Sequence, residues 1–163
     1  MPATEQETQS LLRELEQVAE QARSADDLMW TVVRRLADGA PKYNWIGFYM
    51  VERGRNGVDQ LMLAPFVGAA TPHTRIPLNK GICGAAASSG QTIVVDDVAS
   101  DPRYLACSVE TKSEIVAPVF VRGEVVGELD IDSHSPAAFG PEDRKLVEHC
   151  AALVGRYLEK TTA

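Results

Sequence analysis

The sequence predicts an α+β fold: an antiparallel sheet with the terminal helices on one face and pocket-forming loops on the other. Three observations predict it. Apolar residues recur at helical spacing at both ends of the chain. Aromatic and β-branched runs are joined by short Gly-containing turns between them. Two long stretches without periodicity bracket a short Ala-rich helix, and strand-free loops of that kind usually carry function.

Residues 4–22 place Leu11, Leu12, Leu15, Val18, Ala19 and Ala22 on one helical stripe. A second helix opens at Ser24, a good N-cap, with Asp27 in its acidic first turn. It runs through Leu28, Val32 and Leu36 and stops near Gly39-Ala40-Pro41. Trp45 to Val51 and Gln60 to Phe66 form a hairpin around the turn-rich 53–57 segment. Gly68 to Pro77 reads as an ordered loop. Gly81 to Ser89 is a short helix ended by Gly90, Thr92 to Val95 a short strand, and Asp96 to Thr111 a second long loop. Glu114 to Val121 and Glu124 to Asp132 are strands around Arg122-Gly123. The last helix starts at Gly140-Pro141-Glu142-Asp143 and buries Leu146, Val147, Cys150, Leu153, Val154, Tyr157 and Leu158. The second and last helices suffice to cover the sheet. The stripe on the first helix then has little to cover within its own chain. Residues 1–24 are therefore a dimerisation candidate beside a single domain over 25–160.

At 163 residues the chain is long enough for one domain with a proper core. Its 45% hydrophobic and 24% charged residues are ordinary for a globular protein. A net charge of -7 repels a phosphate backbone, so nucleic-acid partners are not expected. No apolar run approaches the ~20 residues of a membrane span. Residues 1–23 have neither the basic start nor the apolar centre of a secretory signal. The expected compartment is the cytoplasm, where Cys83, Cys107 and Cys150 rest as thiols.

The strand Gly127-Glu128-Leu129-Asp130-Ile131-Asp132-Ser133 is the most informative segment. Alternation sends Leu129 and Ile131 toward the core and stacks Glu128, Asp130 and Asp132 on the opposite face. Neighbouring carboxylates repel, and Asp is a poor strand former. A metal ion, a basic side chain or a ligand's ammonium group would relieve the repulsion; the bland alternative is a solvated sheet face.

Cys107 sits in the second loop near Arg103. Cys83 lies at the start of the short helix beside Lys80, where the helix N-terminus and the lysine favour a thiolate. Its flanking Gly81 and Gly84 allow close approach by a ligand or partner. Cys150 reads as core. Trp45 and Tyr49 share a strand face with Gly47 between them, an aromatic wall with a gap. His73 reads as a loop histidine, and His149 as solvent-facing.

The motifs Asn44-Trp45-Ile46-Gly47-Phe48-Tyr49, Arg75-Ile76-Pro77, Gly81-Ile82-Cys83-Gly84, Leu105-Ala106-Cys107, Ser113-Glu114-Ile115-Val116 and Leu129-Asp130-Ile131-Asp132-Ser133 occur in order. Together they resemble a GAF domain of the free methionine-(R)-sulfoxide reductase type, over roughly residues 25–158. The resemblance implies an enzyme that reduces free methionine-(R)-sulfoxide without a cofactor or metal. The cysteine matching Cys107 would attack the sulfoxide sulfur and become a sulfenic acid. A second cysteine would resolve it, and thioredoxin would reduce the disulfide. Glu114, Asp130 and Asp132 match carboxylates around the substrate, with Ser113 and Ile115 beside them and Trp45 and Tyr49 at its S-methyl end. Such domains often pair through terminal helices, which adds to the expectation of a homodimer.

One position departs from that family. Its third pocket cysteine falls at His73, so the usual partner of the nucleophile is missing, leaving Cys83 or an external thiol to resolve the sulfenic acid. Two functions compete: a reductase using Cys107, and a sensor that binds a small amino-acid ligand without turnover. A metal site from His73, Cys83 and Cys107 lacks compact ligand spacing and is not expected.

Overall fold

The computed structural model describes residues 4–54, 56–105 and 109–162. Its elements are α1 (Glu5–Gln21), α2 (Ala25–Gly39), β1 (Trp45–Glu52), β2 (Gln60–Val67), β3 (Arg75–Pro77), α3 (Gly81–Ser89), β4 (Ile93–Val95), a 3-10 turn at Val98–Ser100, β5 (Ser113–Val121), β6 (Glu124–Ser133) and α4 (Pro141–Thr161). Local chemistry sets the helix ends. Thr4 and Glu7 form a reciprocal capping box at α1, and Ser24 Oγ accepts from the Asp27 amide at 3.0 Å at α2.

The strands form one antiparallel, six-stranded sheet in the order β3-β2-β1-β6-β5-β4. The two hairpins, β1–β2 and β5–β6, are joined by pairing β1 to β6. Trp45 therefore stands opposite Asp132, Gly47 opposite Asp130, and Tyr49 opposite Glu128. Across β5, Glu114 stands opposite Asp132 and Val116 opposite Asp130. Strand β3 lies within the stretch read from sequence as loop. It spans only three residues and includes a proline, too short for an alternating pattern to register.

Helices α2 and α4 cover one face, where Ile46, Phe48, Ile115, Ala117, Val119, Leu129 and Ile131 join Leu28, Val32, Leu36, Val147 and Val154 in the main core. The apolar stripe of α1 has a partner within the chain, contrary to expectation. Leu15 is fully buried, and Leu11, Leu12, Val18 and Ala19 pack against the same core. His149 on α4 is not free in solvent: its ring meets Glu16 of α1 at 2.9 Å. The start of α4 is tied down by Asp143, whose carboxylate accepts from Lys42 Nζ (2.8 Å), Tyr43 Oη and the Gly140 amide (3.0 Å).

The opposite face carries α3 and a second, smaller core of Tyr49, Leu61, Ile76, Ile82, Cys83, Ala86 and Val116. Gly81 and Gly84 do permit close approach, but by the chain itself. A side chain at Gly84 would strike the Leu78 carbonyl at 2.8 Å, and Gly81 adopts φ +70° facing Leu105.

Candidate functional site

The alternation of β6 puts Glu128, Asp130 and Asp132 under α3, and β5 adds Glu114 from the neighbouring strand. These acids are not a solvated face. Glu114, Glu128, Asp130 and Asp132 expose 5%, 0%, 3% and 4% of their surface, which makes their burial a property of the fold. Among the described residues, none of the ion pairs includes them. Both oxygens of Glu128, Oδ1 of Asp130 and Oδ1 of Asp132 have no hydrogen-bond partner there. Burial pushes all four carboxyls well above the usual carboxylate range, and acidic neighbours push further: Asp130 on Glu114, Glu114 on Glu128 and Asp132, and Asp132 on Asp130. Burial and mutual repulsion thus favour the protonated form across the cluster.

Cys83 projects from the first turn of α3 into this cluster, and its Sγ lies 3.3 Å from Asp130 Oδ2 as a donor. It is a thiol rather than the thiolate the helix start and Lys80 suggested. Burial raises its pKa well above the ordinary value, and Asp130, Glu128 and Glu114 raise it further. The partial charge of one helix end does not offset desolvation beside several carboxyls. Cys150 is buried on the other face of the sheet, pushed up to about 12 by burial alone, and takes no part in the site.

The aromatic wall is present without its gap. The Trp45 ring folds over Gly47, where a Cβ would meet ring carbons at 2.4 Å, and stacks between Phe66 (5.7 Å) and Tyr49 (6.1 Å). Trp45 Nε1 donates to the Ala69 carbonyl at 3.1 Å, and Tyr49 Oη donates to the His73 carbonyl at 2.8 Å. His73, read as a plain loop histidine, thus lies at the aromatic edge of the site through its backbone.

Ser113 and Ile115 border the site along β5 with their side chains on its far face. They alternate with Glu114, so their side chains enter the helix face: Ile115 lies in the main core, and Ser113 Oγ donates to the Ser135 carbonyl and accepts from the Ala138 amide. Any contact they make with a pocket ligand runs through their backbone. Glu128 is the residue the sequence undervalued. It belonged to the visible acidic stack, but only the register shows that it lies opposite Tyr49 and near Cys83.

Cys107 lies outside the described residues. Leu105, two positions before it, lines a small void of about 10 Å³ with Tyr49, Ile76, Gly81, Cys83, Glu114 and Asp130. That volume holds about one water.

The sequence matches the GAF domain family over residues 9–158. The chain is 36% identical to the free methionine-R-sulfoxide reductase of Saccharomyces cerevisiae over 134 residues, 82% of this chain and 71% of that protein. The type II free methionine-R-sulfoxide reductase of Thermoplasma acidophilum shares 38% identity and superposes with a TM-score of 0.77, covering 90% of this chain and 96% of that one. The Neisseria meningitidis free methionine-R-sulfoxide reductase, solved in complex with its substrate, gives 30% identity and a TM-score of 0.88 over 100% of this chain and 97% of that one. The chain belongs to the GAF domain family and is a homologue of free methionine-R-sulfoxide reductases.

Proposed function

We propose that this protein reduces free methionine-(R)-sulfoxide to methionine, with Cys107 as nucleophile. The observation that supports it most is the buried cluster of Glu114, Asp130 and Asp132 around a thiol, with no ion pair to a basic side chain among the described residues, in a chain homologous to such reductases. The substrate brings the missing charge. Its ammonium group draws the acids it meets toward the carboxylate form, while an acid that stays protonated donates to the sulfoxide oxygen. Attack by the Cys107 thiolate on sulfur transfers that oxygen to the cysteine. The products are methionine and a cysteine sulfenic acid. A second thiol displaces water from the sulfenic acid to form a disulfide, and a dithiol such as thioredoxin reduces it and is itself oxidised.

Cys83 is the resolving thiol in this reading. It is buried and protonated, so it reacts only once its proton passes to Asp130 in the carboxylate form that a bound ammonium group favours. The alternative is a binder of amino-acid ligands without turnover, favoured by His73 standing where the family carries its third cysteine. Turnover of methionine-(R)-sulfoxide with excess dithiothreitol separates the two. The expected result is activity that Cys107→Ser abolishes, because a hydroxyl is a far weaker nucleophile at neutral pH. Binding without turnover supports the sensor. Peptide mapping after substrate treatment should recover a Cys83–Cys107 disulfide. An active enzyme without that disulfide assigns resolution to an external thiol.

The reading includes a cytoplasmic, reducing setting and a homodimer. The described residues contain no helix long and apolar enough to cross a membrane. Because α1 covers its own core, the dimer rests on the family resemblance rather than on an unpartnered stripe. Sedimentation at micromolar concentration should return twice the 17.7 kDa chain mass; a monomer mass refutes the dimer.

A further inference from the structure

We propose that Cys83, Glu114 and Asp130 form a binding site for a thiophilic divalent cation of the zinc type, and that the ion excludes the amino-acid ligand from the same acids. Sequence scatters these residues over three elements, and the sheet register brings them together. One donor atom from each lies within 4.8 Å of the other two, and all three side chains are buried. Tetrahedral zinc, with bonds of ~2.0 Å to oxygen and ~2.3 Å to sulfur, sets its donor atoms roughly 3.3–3.5 Å apart. The Cys83 Sγ to Asp130 Oδ2 separation is already 3.3 Å. Glu114 brings a third ligand atom within 4.8 Å of the other two, which makes three protein ligands, the number found in open zinc sites.

A separate observation points to a cation. Glu128 is fully buried beside the thiol, a weak donor, and neither of its carboxyl oxygens makes a well-formed hydrogen bond among the described residues. Oδ1 of Asp130 is orphaned as well. A buried carboxyl left without a donor costs free energy, and a cation at its side removes that cost. The void bounded by Cys83, Glu114 and Asp130 is about 10 Å³, room for a bare ion but not for a methionine-sized molecule. One soft sulfur with oxygen donors selects zinc or cobalt(II) over magnesium or calcium, which favour oxygen-only shells. No electron moves: the thiol and the coordinating carboxyls release their protons to solvent, and sulfur and oxygen lone pairs bond the metal.

The test uses the full chain, reduced with a non-thiol reductant and titrated with cobalt(II) and with zinc. Cobalt(II) should produce a near-ultraviolet thiolate-to-metal band, and zinc should bind with proton release. Cys83→Ser should remove the band and weaken zinc at least about tenfold. Cys107→Ser and Cys150→Ser should keep the band. Asp130→Asn leaves the thiol in place, so it covers the case in which Cys83→Ser does not fold; it should also weaken zinc. Four results overturn the proposal: no band in the wild type, a band that survives Cys83→Ser, a band lost in Cys107→Ser, or zinc affinity unchanged in Asp130→Asn. Zinc should also raise the apparent Kd of methionine-(R)-sulfoxide in proportion to its concentration. Simultaneous binding of both refutes the exclusion. That last arm rests on the proposed ligand, whereas the cobalt band is read without substrate and stands whether or not the protein is a reductase.

Discussion

On the helix side of the sheet, Asp143 is fully buried and accepts from Lys42, Tyr43 and the Gly140 amide. On the opposite side, Glu128 is equally buried, and among the described residues its carboxyl oxygens make no well-formed hydrogen bond, with only a weak thiol donor, Cys83, beside them. The two carboxyls come from the same fold and obey opposite rules. Asp143 finds its partners within the chain, so it fixes the start of α4 against the segment that leads into β1. Glu128 and its neighbours leave hydrogen-bonding capacity unused away from water, so they hold free energy that a ligand can recover. Burial with partners marks structure; burial without them marks a place where a ligand belongs.

The sharpest way to break this comparison is to neutralise one acid on each side. Asp143→Asn leaves the Lys42 ammonium, only 14% exposed, without its counter-charge. It should cost roughly 2–4 kcal/mol, toward the lower end because Lys42 keeps some contact with solvent. Asp130→Asn removes one of several crowded acids and should be neutral or slightly stabilising at neutral pH. Denaturant unfolding of both variants checks this, and equal losses would erase the distinction.

Acidity sharpens the comparison next. The folded pKa values of Glu114, Glu128, Asp130 and Asp132 are raised above their unfolded values. Their contribution is fully present below about pH 4, where the unfolded chain is also protonated. As pH rises above that, the unfolded state loses protons that the folded state keeps, and stability falls until the folded pKa values are passed. Each group can contribute a slope of up to about 1.4 kcal/mol per pH unit. Glu7 and Asp101 have lowered values, held by Thr4 and Arg103, so their contribution runs the other way, lost as pH falls below about 4. The unliganded protein should therefore lose stability from pH 5 to pH 8, and Glu128→Gln should make that decline shallower. A melting temperature that rises over this range would contradict the protonated cluster.

The smallest expected effect concerns affinity. Asp132→Asn or Glu114→Gln should weaken binding of methionine-(R)-sulfoxide by about tenfold, the loss of one charge-assisted contact, with the fold intact. Unchanged affinity in both, by calorimetric titration, would make the acids bystanders.

Much of this contrast was legible in the sequence, because it rests on a period of two. Leu129 and Ile131 against Glu128, Asp130 and Asp132 is a pattern any strand must split between its faces, and the helical stripes and capping residues placed the helices on the same local grounds. The motif spacing carried the family resemblance. What the structure adds comes partly from alternation itself and partly from contact between segments far apart in sequence. Ser113 and Ile115 sit next to Glu114 along the chain, yet the same alternation turns them away from it. Strand β3 exists because β2 offers it an edge, not because Arg75-Ile76-Pro77 prefers to be extended.

Composition, periodicity and motif order determined by themselves the α+β class, the acidic stack and the candidate thiols, since each depends on residues close in sequence or on their order. Only the tertiary structure decided that the acids are buried with their pKa values raised, that the Trp45 ring fills the space over Gly47, and that Cys83 faces Asp130 as a thiol. Each of those is a matter of desolvation or packing between elements, and both depend on what the rest of the chain brings to the same point in space.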